Sequence, residues 1–265
     1  MRIGFIGCGN MGSALARSVM KSVSAFHIVI NDVNKDKVNA FCSETGAMAG
    51  DLNEIASDCK YIFLAVKPQM LPELSRELSP MLAERKDGFV LVSMAAGVTT
   101  KRLGELFGDY PTVRIMPNLP VSVGEGVVLY TATESVSESD LNGFLDIMKN
   151  AGTLMRLDEK LIDAGTSVSG CGPAFVCQVI EALARGGERC GLSYEDSLVM
   201  AERTLIGTAK LLAETKGDPI ALCRAVCSPG GSTIEGVKTL ESGGIDGLFA
   251  DAVMASYKRN IELGK

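Results

Sequence analysis

Short β-branched and apolar runs alternate with stretches of helical periodicity from residue 2 to about residue 156. The apolar runs read RIGFI, HIVIN, YIFLAV, FVLVSM, TVRIM and GVVLY. Most of them are followed by segments whose apolar residues recur every three or four positions, such as NMGSALARSVMKS and NKDKVNAFCSE. This alternation predicts a mostly parallel sheet with helices on both faces.

Strand signals stop near Asp158, and the rest of the chain has helical periodicity. Gly191 and Gly217 are expected to close two of these helices, and Ser193 is a good N-cap. The pattern predicts helices over about 172–191, 194–215, 218–227, 233–242 and 246–263. We therefore predict an α/β domain over residues 1–158, followed by an all-helical domain over residues 159–265.

The first long helix of the second domain, PAFVCQVIEALARGGERCG, carries apolar residues on more than one face. Val176, Val179, Ile180 and Leu183 are among them. A helix that is apolar nearly all round must be buried on all sides. The economical explanation is burial by a second copy of the chain, which predicts a homodimer; in the alternative, the helix is wrapped by its own neighbours.

Composition and charge narrow the functional classes. The chain has 26 Lys and Arg against 32 Asp and Glu, is 46% hydrophobic and 22% charged, and so has the composition of a folded globular protein. A nonspecific nucleic-acid partner is not expected, because binding phosphate needs a surplus of cations. No apolar run approaches the roughly 20 residues of a membrane span, and glycines interrupt the N-terminal run. We expect a cytoplasmic protein without a membrane partner.

The eight cysteines are scattered, and none forms a C-x-x-C pair. A chain of this size needs no disulfides, so we expect reduced thiols. Cys223 and Cys227 share a helix face, but the chain has a single histidine and no nearby cluster of ligands. No metal site is predicted.

The segment Gly7-Cys8-Gly9-Asn10-Met11-Gly12 follows the first predicted strand and opens the first predicted helix. In this context Gly7 permits the tight turn, Gly9 lets the backbone approach a pyrophosphate, and Gly12 allows close packing of helix on strand. The helix N-terminus supplies N–H groups to the anion. The motif predicts a Rossmann-type dinucleotide-binding domain; the alternative is a glycine turn that serves packing alone.

Asn31 and Asp32 end the second predicted strand, about twenty residues further on. An acidic residue at this position accepts hydrogen bonds from the adenosine ribose and repels a 2′-phosphate, which favours NADH. Asn31, Asn34 and Lys35 could instead hold the 2′-phosphate of NADPH, with Asp32 turned away. The cofactor prediction is therefore NADPH or NADH.

Two more strand ends are expected to border the same dinucleotide-binding crevice at the edge of the sheet. Ligands of open α/β sheets lie beyond the carboxyl ends of the strands. Their small residues would let the main chain pass close to a cofactor, and Lys67 could contact phosphate or be solvated. The segments are Ala65-Val66-Lys67-Pro68 and Ser93-Met94-Ala95-Ala96-Gly97.

The predicted helical domain contains two glycine-rich segments, Ser167 to Phe175 and Ser228 to Glu235. The second places hydroxyls and free N–H groups at a helix start, which suits a carboxylate. A purely structural alternative exists, because Ser232-x-x-Glu235 is also a capping box and Ser228-Pro229 suits the beginning of a helix.

The single histidine, His27, lies just before the second predicted strand, on the side of the sheet opposite to the crevice. We interpret it as structural. Reduction of a ketone normally needs a positioned acid such as His or Lys, whereas an imine is basic enough to arrive partly protonated. The sequence therefore favours a C=N substrate.

Together, FIGCGNMG, AVKP, AAGV, MPNLP, SGCGPAF and SPGGSTIEG resemble the pyrroline-5-carboxylate reductase family, from the first strand to the final helix. The resemblance implies a Rossmann domain and an all-helical domain through which subunits interlock as homodimers, often assembled into larger rings. It also implies that NAD(P)H reduces the C=N bond of 1-pyrroline-5-carboxylate to L-proline, the last step of proline biosynthesis.

The resemblance assigns roles to the motif residues. Thr233 corresponds to a hydroxyl that bonds the ring nitrogen, and Gly230, Gly231 and Ser232 to a turn whose amides take the substrate carboxylate. Ser169, Gly170, Cys171 and Gly172, followed by Pro173, form the facing wall of the substrate site. The cofactor is held by Ile6, Gly7, Cys8, Gly9, Asn10, Met11, Gly12, Asn31, Asp32, Asn53, Ala65, Val66, Lys67, Pro68, Ala95, Ala96 and Gly97.

This chain departs from the family pattern at three positions. Leu119 stands where the family commonly has Thr, Cys171 replaces a frequent Ser, and Asp32 is unusual in a family often described as preferring NADPH. Two other functional classes compete: a β-hydroxyacid dehydrogenase and a non-catalytic dinucleotide-binding sensor. The former needs a Lys that residues 173–190 lack, and the retained SPGGST segment argues against the latter.

Overall fold

The computed structural model describes residues 1–263 and separates into two compact units. The first contains the chain up to Cys171 together with the segment from Ser256 onward, and the second contains Gly172–Ala255. The sequence places a domain boundary at Asp158, whereas the units divide after Cys171. The reason is local packing: Ile162 is fully buried in a cluster with Met116 and Leu129 of the first unit.

An eight-stranded sheet forms the centre of the first unit, in the order β3-β2-β1-β4-β5-β6-β7-β8. Neighbouring strands are parallel except β6 and β7, which confirms the mostly parallel sheet. The sequence analysis missed β3, which is too short to form an apolar run, and β8, in which Leu154 and Met155 are the only large apolar residues. The strands are β1 (Arg2–Ile6), β2 (Ile28–Asn31), β3 (Met48–Ala49), β4 (Cys59–Leu64), β5 (Val90–Ser93), β6 (Thr112–Pro117), β7 (Gly126–Ala132) and β8 (Gly152–Arg156).

Helices connect the strands and then form the second unit, in agreement with the α/β class followed by an all-helical region. Those of the first unit are α1 (Asn10–Met20), α2 (Lys35–Thr45), α3 (Leu52–Asp58), α4 (Leu71–Ala83), α5 (Thr100–Phe107), α6 (Glu138–Met148) and α7 (Ile162–Ser169). Those that follow are α8 (Gly172–Arg189), α9 (Tyr194–Thr215), α10 (Pro219–Val226), α11 (Ser232–Ser242) and α12 (Ile245–Leu263). The division between the units falls within α12.

Alternate residues of β1 enter two separate hydrophobic clusters. Ile3 and Phe5 join the cluster that contains α1, α2 and α6, whereas Ile6 joins the cluster that contains α3, α4 and α5. Phe5 stacks on Phe63 of β4 with ring centroids 4.3 Å apart. Because successive strand residues point to opposite faces, the sheet has helices on both sides and holds its carboxyl ends rigidly at one edge.

In the second unit, α8 and α9 form the predicted helical pair. Ser193 caps α9 by accepting a hydrogen bond from the backbone N–H of Asp196, as expected. Gly187 permits a close crossing, since a Cβ there would collide with Ser197 Oγ. At the end of α9, Lys216 rather than Gly217 adopts the left-handed conformation, with φ of 49°. Gly217 still donates its N–H to Leu212, so the helix ends where expected.

The chain's own helices do not wrap α8. Ala184 is its one buried residue, while Val176 and Leu183 are about half exposed within the subunit. The alternative of burial by its own neighbours is therefore wrong. Residues 159–189 are long and apolar enough for a membrane span by length and composition. This stretch contains the break between α7 and α8 and the charged Glu181, Arg185 and Glu188, so it does not form one uninterrupted apolar helix.

Candidate active site

A cleft of about 370 Å³ opens at the carboxyl ends of β1, β2 and β4. It lies where the sheet order changes direction, with β1 next to both β2 and β4. Crevices at such a position hold dinucleotides in doubly wound folds. Its lining includes Ile6, Gly7, Gly9, Asn31, Asp32, Val33, Lys37, Leu52, Ala65, Val66, Lys67, Met70, Glu73, Leu74 and Glu77.

The glycine loop that joins β1 to α1 leaves space for a phosphate group. Gly7 has φ of +111°, and a Cβ there would collide with the Ala65 carbonyl. A Cβ at Gly9, by contrast, would meet nothing within 4 Å. Gly9 is the N-cap of α1 and no side chain caps that helix, so its first N–H groups are free to meet an anion. The loop fits the pyrophosphate of a dinucleotide.

Cys8 is mostly buried and is not among the residues that line the cleft. It is 7% exposed, and its Sγ lies 3.4 Å from Ser13 Oγ. The pKa of the Cys42 thiol on α2 is raised, first by burial and second by the nearby Cys8. Cys42 therefore remains protonated at neutral pH.

Asp32 is fixed at the mouth of the cleft by two backbone groups. One carboxylate oxygen accepts the N–H of Cys8 at 2.6 Å, and the other accepts the N–H of Asn34 at 2.8 Å. Asn31 has a structural contact: its Nδ2 donates to the Gly50 carbonyl at 2.7 Å. Its backbone carbonyl accepts the Gly7 N–H, which joins β2 to the glycine loop.

The residues that the sequence suggested for holding a 2′-phosphate do not all face the cleft. The Asn34 side chain caps α2 by accepting the N–H of Lys37 at 3.1 Å. Lys37 lines the cleft, whereas Lys35 is not among the lining residues. The sequence reasoning missed Lys37, and the one signal that could have found it is its place in the first turn of the helix that follows β2.

Ala65, Val66 and Lys67 line the cleft, and Pro68 follows them in a short 3₁₀ turn. Asn53 is exposed on the first turn of α3, next to the cleft residue Leu52. The segment Ala95, Ala96 and Gly97 forms a turn after β5, closed by a hydrogen bond from Val98 N–H to the Ala95 carbonyl. This turn is not among the residues that line the cleft.

Asn118 connects the sheet to the segment Ser169-Gly170-Cys171. It is 7% exposed; its Nδ2 donates to the Ser169 carbonyl at 2.9 Å, and its Oδ1 accepts the Val127 N–H at 2.8 Å. The end of α7 is thereby held against the loop after β6. Sequence reasoning used Asn118 only as part of the MPNLP resemblance. The adjacent Leu119 is 58% exposed.

A buried cation, Arg114 on β6, supports the same region. It is 1% exposed and pairs at 3.3 Å with both Glu159 and Asp163. Glu159 also accepts the backbone N–H and the hydroxyl of Thr100, at 2.6 and 2.7 Å. Thr100 begins α5, immediately after the turn that contains Gly97. This network of ion pairs and hydrogen bonds joins the start of α5, the strand β6 and the helix α7, and sequence reasoning did not find it.

The SPGGST segment of the second unit forms a turn that opens α11. Gly230 has φ of +72°, and the Gly231 N–H bonds the Ser228 carbonyl at 3.0 Å, which is the geometry of a type II turn with Pro229 at its second position. Gly231 is the N-cap, without a side-chain cap, and Ser232 is already helical. The capping-box alternative is therefore wrong, as is a helix start at Pro229. Thr233 is exposed.

Within residues 1–263, no three His, Cys, Asp or Glu side chains form a group that could hold a metal ion. His27 is exposed and precedes β2, at the amino end of that strand. It thus lies at the opposite end of β2 from the cleft.

Two family models match the chain. Residues 159–263 match the model for pyrroline-5-carboxylate reductase dimerisation, and residues 2–97 match the model for NADP oxidoreductase, coenzyme F420-dependent. The second match covers every residue that lines the cleft, and the first covers the helices from α7 to α12.

Curated relatives and solved structures match over the full length. The chain is 37% identical to pyrroline-5-carboxylate reductase of Aquifex aeolicus, covering 96% of this chain and 94% of that protein. It is 34% identical to the Arabidopsis thaliana enzyme, covering 100% and 96%. The structure of a Coxiella burnetii pyrroline-5-carboxylate reductase superposes with a TM-score of 0.92 at 32% identity, covering 100% and 98%. The Plasmodium falciparum pyrroline carboxylate reductase with NADP bound has a TM-score of 0.87 at 29% identity, with the same coverage.

Proposed function

This chain belongs to the pyrroline-5-carboxylate reductase family, and we propose from its own residues how it performs the reaction of that family. It is an NAD(P)H-dependent oxidoreductase that reduces the C=N bond of 1-pyrroline-5-carboxylate to L-proline, and its helical region is a dimerisation domain. The single observation that supports the site is the uncapped SPGGST turn at the start of α11. The full-length match argues against the β-hydroxyacid dehydrogenase and sensor alternatives.

The first unit holds the cofactor at the carboxyl edge of its sheet. The Gly9 space and the free N–H groups of α1 take the pyrophosphate, while Asp32 faces the adenosine ribose. Two loop segments contact the cofactor between its pyrophosphate and its nicotinamide: Ala65 to Pro68 and Ala95 to Gly97. Asn53 lies beside the adenosine. The bound NAD(P)H supplies the hydride that the C=N carbon accepts.

The turn before α11 binds the substrate carboxylate. Gly230, Gly231 and Ser232 present backbone N–H groups at a helix N-terminus that no side chain satisfies. A carboxylate there gains hydrogen bonds and a favourable interaction with the helix dipole. Because Ser232 does not act as a cap, its hydroxyl is also available to the substrate.

Thr233 is the catalytic residue, because its hydroxyl contacts the ring nitrogen. The nitrogen becomes more basic as the C=N carbon is reduced, so a hydrogen bond from Thr233 gains strength as the reaction proceeds and lowers the barrier. Ser169, Gly170, Cys171 and Gly172, with Pro173, are the proposed substrate wall. Asn118 and the Arg114 network hold the Ser169 end of that wall.

Two further parts of the proposal concern the oligomer that the dimers form and the compartment in which the enzyme works. We expect dimers to associate into a ring and the enzyme to be cytoplasmic; sedimentation and cell fractionation would test these two expectations. The half-exposed Val176 and Leu183 of α8 support a partner subunit rather than a membrane, because charged residues interrupt the apolar surface of that helix.

Replacing the Thr233 hydroxyl tests the catalytic assignment. Thr233→Ala should lower kcat/KM for pyrroline-5-carboxylate by roughly 10- to 100-fold, about 1.4 to 2.8 kcal/mol, the scale of one hydrogen bond to a charged or polarised group. The loss should be larger at alkaline pH, where less of the imine is protonated in solution. Steady-state kinetics between pH 6 and 9 measure both effects.

Two variants serve as controls. Thr233→Ser keeps the hydroxyl and should retain most activity. Thr239→Ala removes an exposed hydroxyl on the same helix whose hydrogen bond goes to the Glu235 carbonyl, and should leave kcat/KM unchanged. A folded Thr233→Ala enzyme with wild-type kcat/KM across this pH range would show that the residue only begins a helix.

A further inference from the structure

Lys37 lines the same cleft as Asp32, on the edge formed by the loop after β2. It is exposed and lies in the first turn of α2, where the Asn34 side chain caps its backbone N–H. The cap fixes the start of α2 and therefore the point from which the Lys37 side chain extends. Lys37 also lines an adjoining groove with Gly9 and Asn10 at the glycine loop, so it lies between the loop and the ribose edge.

Two other groups near this edge that could hold a 2′-phosphate already donate hydrogen bonds within the protein. Arg17 donates to both oxygens of Glu44 at 2.8 Å and lies over the Phe41 ring at 4.7 Å. Asn31 donates to Gly50. Lys35 is outside the lining of the cleft.

The charges of the cleft make a local cation necessary for a 2′-phosphate. Its lining contains three carboxylates, Asp32, Glu73 and Glu77, and two ammonium groups, Lys37 and Lys67. Lys67 follows β4, whereas Lys37 follows β2, the strand whose end carries Asp32. A 2′-phosphate near Asp32 meets like charge, and the repulsion is offset only if an opposite charge reaches the same position.

We propose that Lys37 binds the 2′-phosphate of NADPH and so allows this enzyme to use NADPH in spite of Asp32. The inference rests on the proposed cofactor cleft. Asp32, held by the N–H groups of Cys8 and Asn34, stays in position to accept a ribose hydroxyl of NADH. Lys37 supplies the charge that the 2′-phosphate requires, so one site accepts both cofactors.

Calorimetric titration with two fragments that differ only in the 2′-phosphate tests this role without turnover. The ligands are adenosine 2′,5′-bisphosphate and adenosine 5′-monophosphate, titrated into the intact enzyme. Lys37→Gln should weaken the bisphosphate about tenfold, the effect of one charge-assisted hydrogen bond at an exposed site, and leave the monophosphate unchanged. Lys35→Gln is the same substitution two residues earlier in the first turn of α2, and it should alter neither affinity.

Salt and a conservative variant sharpen the result. Lys37→Arg should keep the preference for the bisphosphate, and the difference between wild type and Lys37→Gln should shrink as ionic strength rises. Lys37 and Lys35 are both exposed, and circular dichroism will verify that each variant is folded. If Lys37→Gln binds the bisphosphate as wild type does, the role of Lys37 is refuted. If the wild-type enzyme binds neither fragment, the cofactor cleft itself is wrongly placed.

Discussion

Two glycines where β1 leads into α1, Gly9 at the N-cap and Gly12 in the first turn of the helix, are required for different physical reasons. A Cβ at Gly12 would collide with the Gly7 carbonyl, so Gly12 is needed for packing. A Cβ at Gly9 would meet no atom of the protein within 4 Å, so the space beside Gly9 is open, as the proposed pyrophosphate position requires. Two substitutions of the same kind should therefore separate folding from cofactor binding.

Gly9→Ala should fold with a melting temperature close to that of wild type and bind NADPH at least tenfold more weakly, because its methyl group occupies the pyrophosphate space. Gly12→Ala should lower the melting temperature, since backbone must shift to relieve the collision. Thermal unfolding and NADPH fluorescence titration measure the two effects. Unchanged NADPH affinity in Gly9→Ala would place the pyrophosphate elsewhere.

At the residue scale, the positions of the motif residues could be predicted from the sequence, but the hydrogen-bond and ion-pair partners of individual side chains could not. The glycine spacing and Asp32 are visible in the sequence because their roles depend on local order along the chain. By contrast, the Asn31 side chain donates a hydrogen bond to the Gly50 carbonyl, and Arg17 pairs with Glu44. Such pairings depend on which helices and strands pack together, and a single sequence does not contain that information.

At the scale of elements, Asn118 connects the loop after β6 to the end of α7. Its two hydrogen bonds join Ser169 and Val127, which are far apart in sequence. Asn118→Ala leaves a partly buried carbonyl and a partly buried N–H without this partner, at a cost towards the low end for such groups, about 1 kcal/mol each. It also frees the Ser169 end of the proposed substrate wall.

Asn118→Ala should therefore lower stability by about 2 kcal/mol and raise KM for pyrroline-5-carboxylate more than KM for NADPH. Asn118→Asp keeps an acceptor for Val127 but loses the donor to Ser169 and places a mostly buried carboxylate against that carbonyl, so it should lower stability at least as much and show the same change in KM. Urea unfolding and steady-state kinetics distinguish the effects. Equal changes in both KM values would contradict a specific role at the substrate wall.

Element boundaries were predicted well where a helix is amphipathic or capped in the usual manner, as with Ser193 and α9. At α11 the helix begins at Ser232, one residue before the predicted start, but the capping-box alternative on Ser232-x-x-Glu235 is wrong. The structure instead uses Pro229 and Gly230 to form a turn, which moves the N-cap to Gly231 and places Ser232 inside the helix. A turn and a cap use the same residue types, so the pattern alone cannot separate them.

At the scale of the whole molecule, α8 requires a second subunit. Val176 and Leu183 lie two turns apart on this helix and are 45% and 51% exposed within one chain. Burial of a leucine side chain contributes about 1.5 to 3 kcal/mol, and a charge in its place adds a desolvation cost. The region also matches the dimerisation model.

Leu183→Asp should weaken the dimer by about 3 kcal/mol, more than a hundredfold in Kd, and give monomer or aggregate at micromolar concentration. Phe26→Asp changes an apolar side chain of the first unit that is 66% exposed and lies outside the matched dimerisation region, so it should remain dimeric. Light scattering coupled to size-exclusion chromatography measures both masses. The helix cannot be the subunit contact if Leu183→Asp remains a dimer with wild-type stability to dilution, because an unpaired aspartate would then face water in the assembled enzyme.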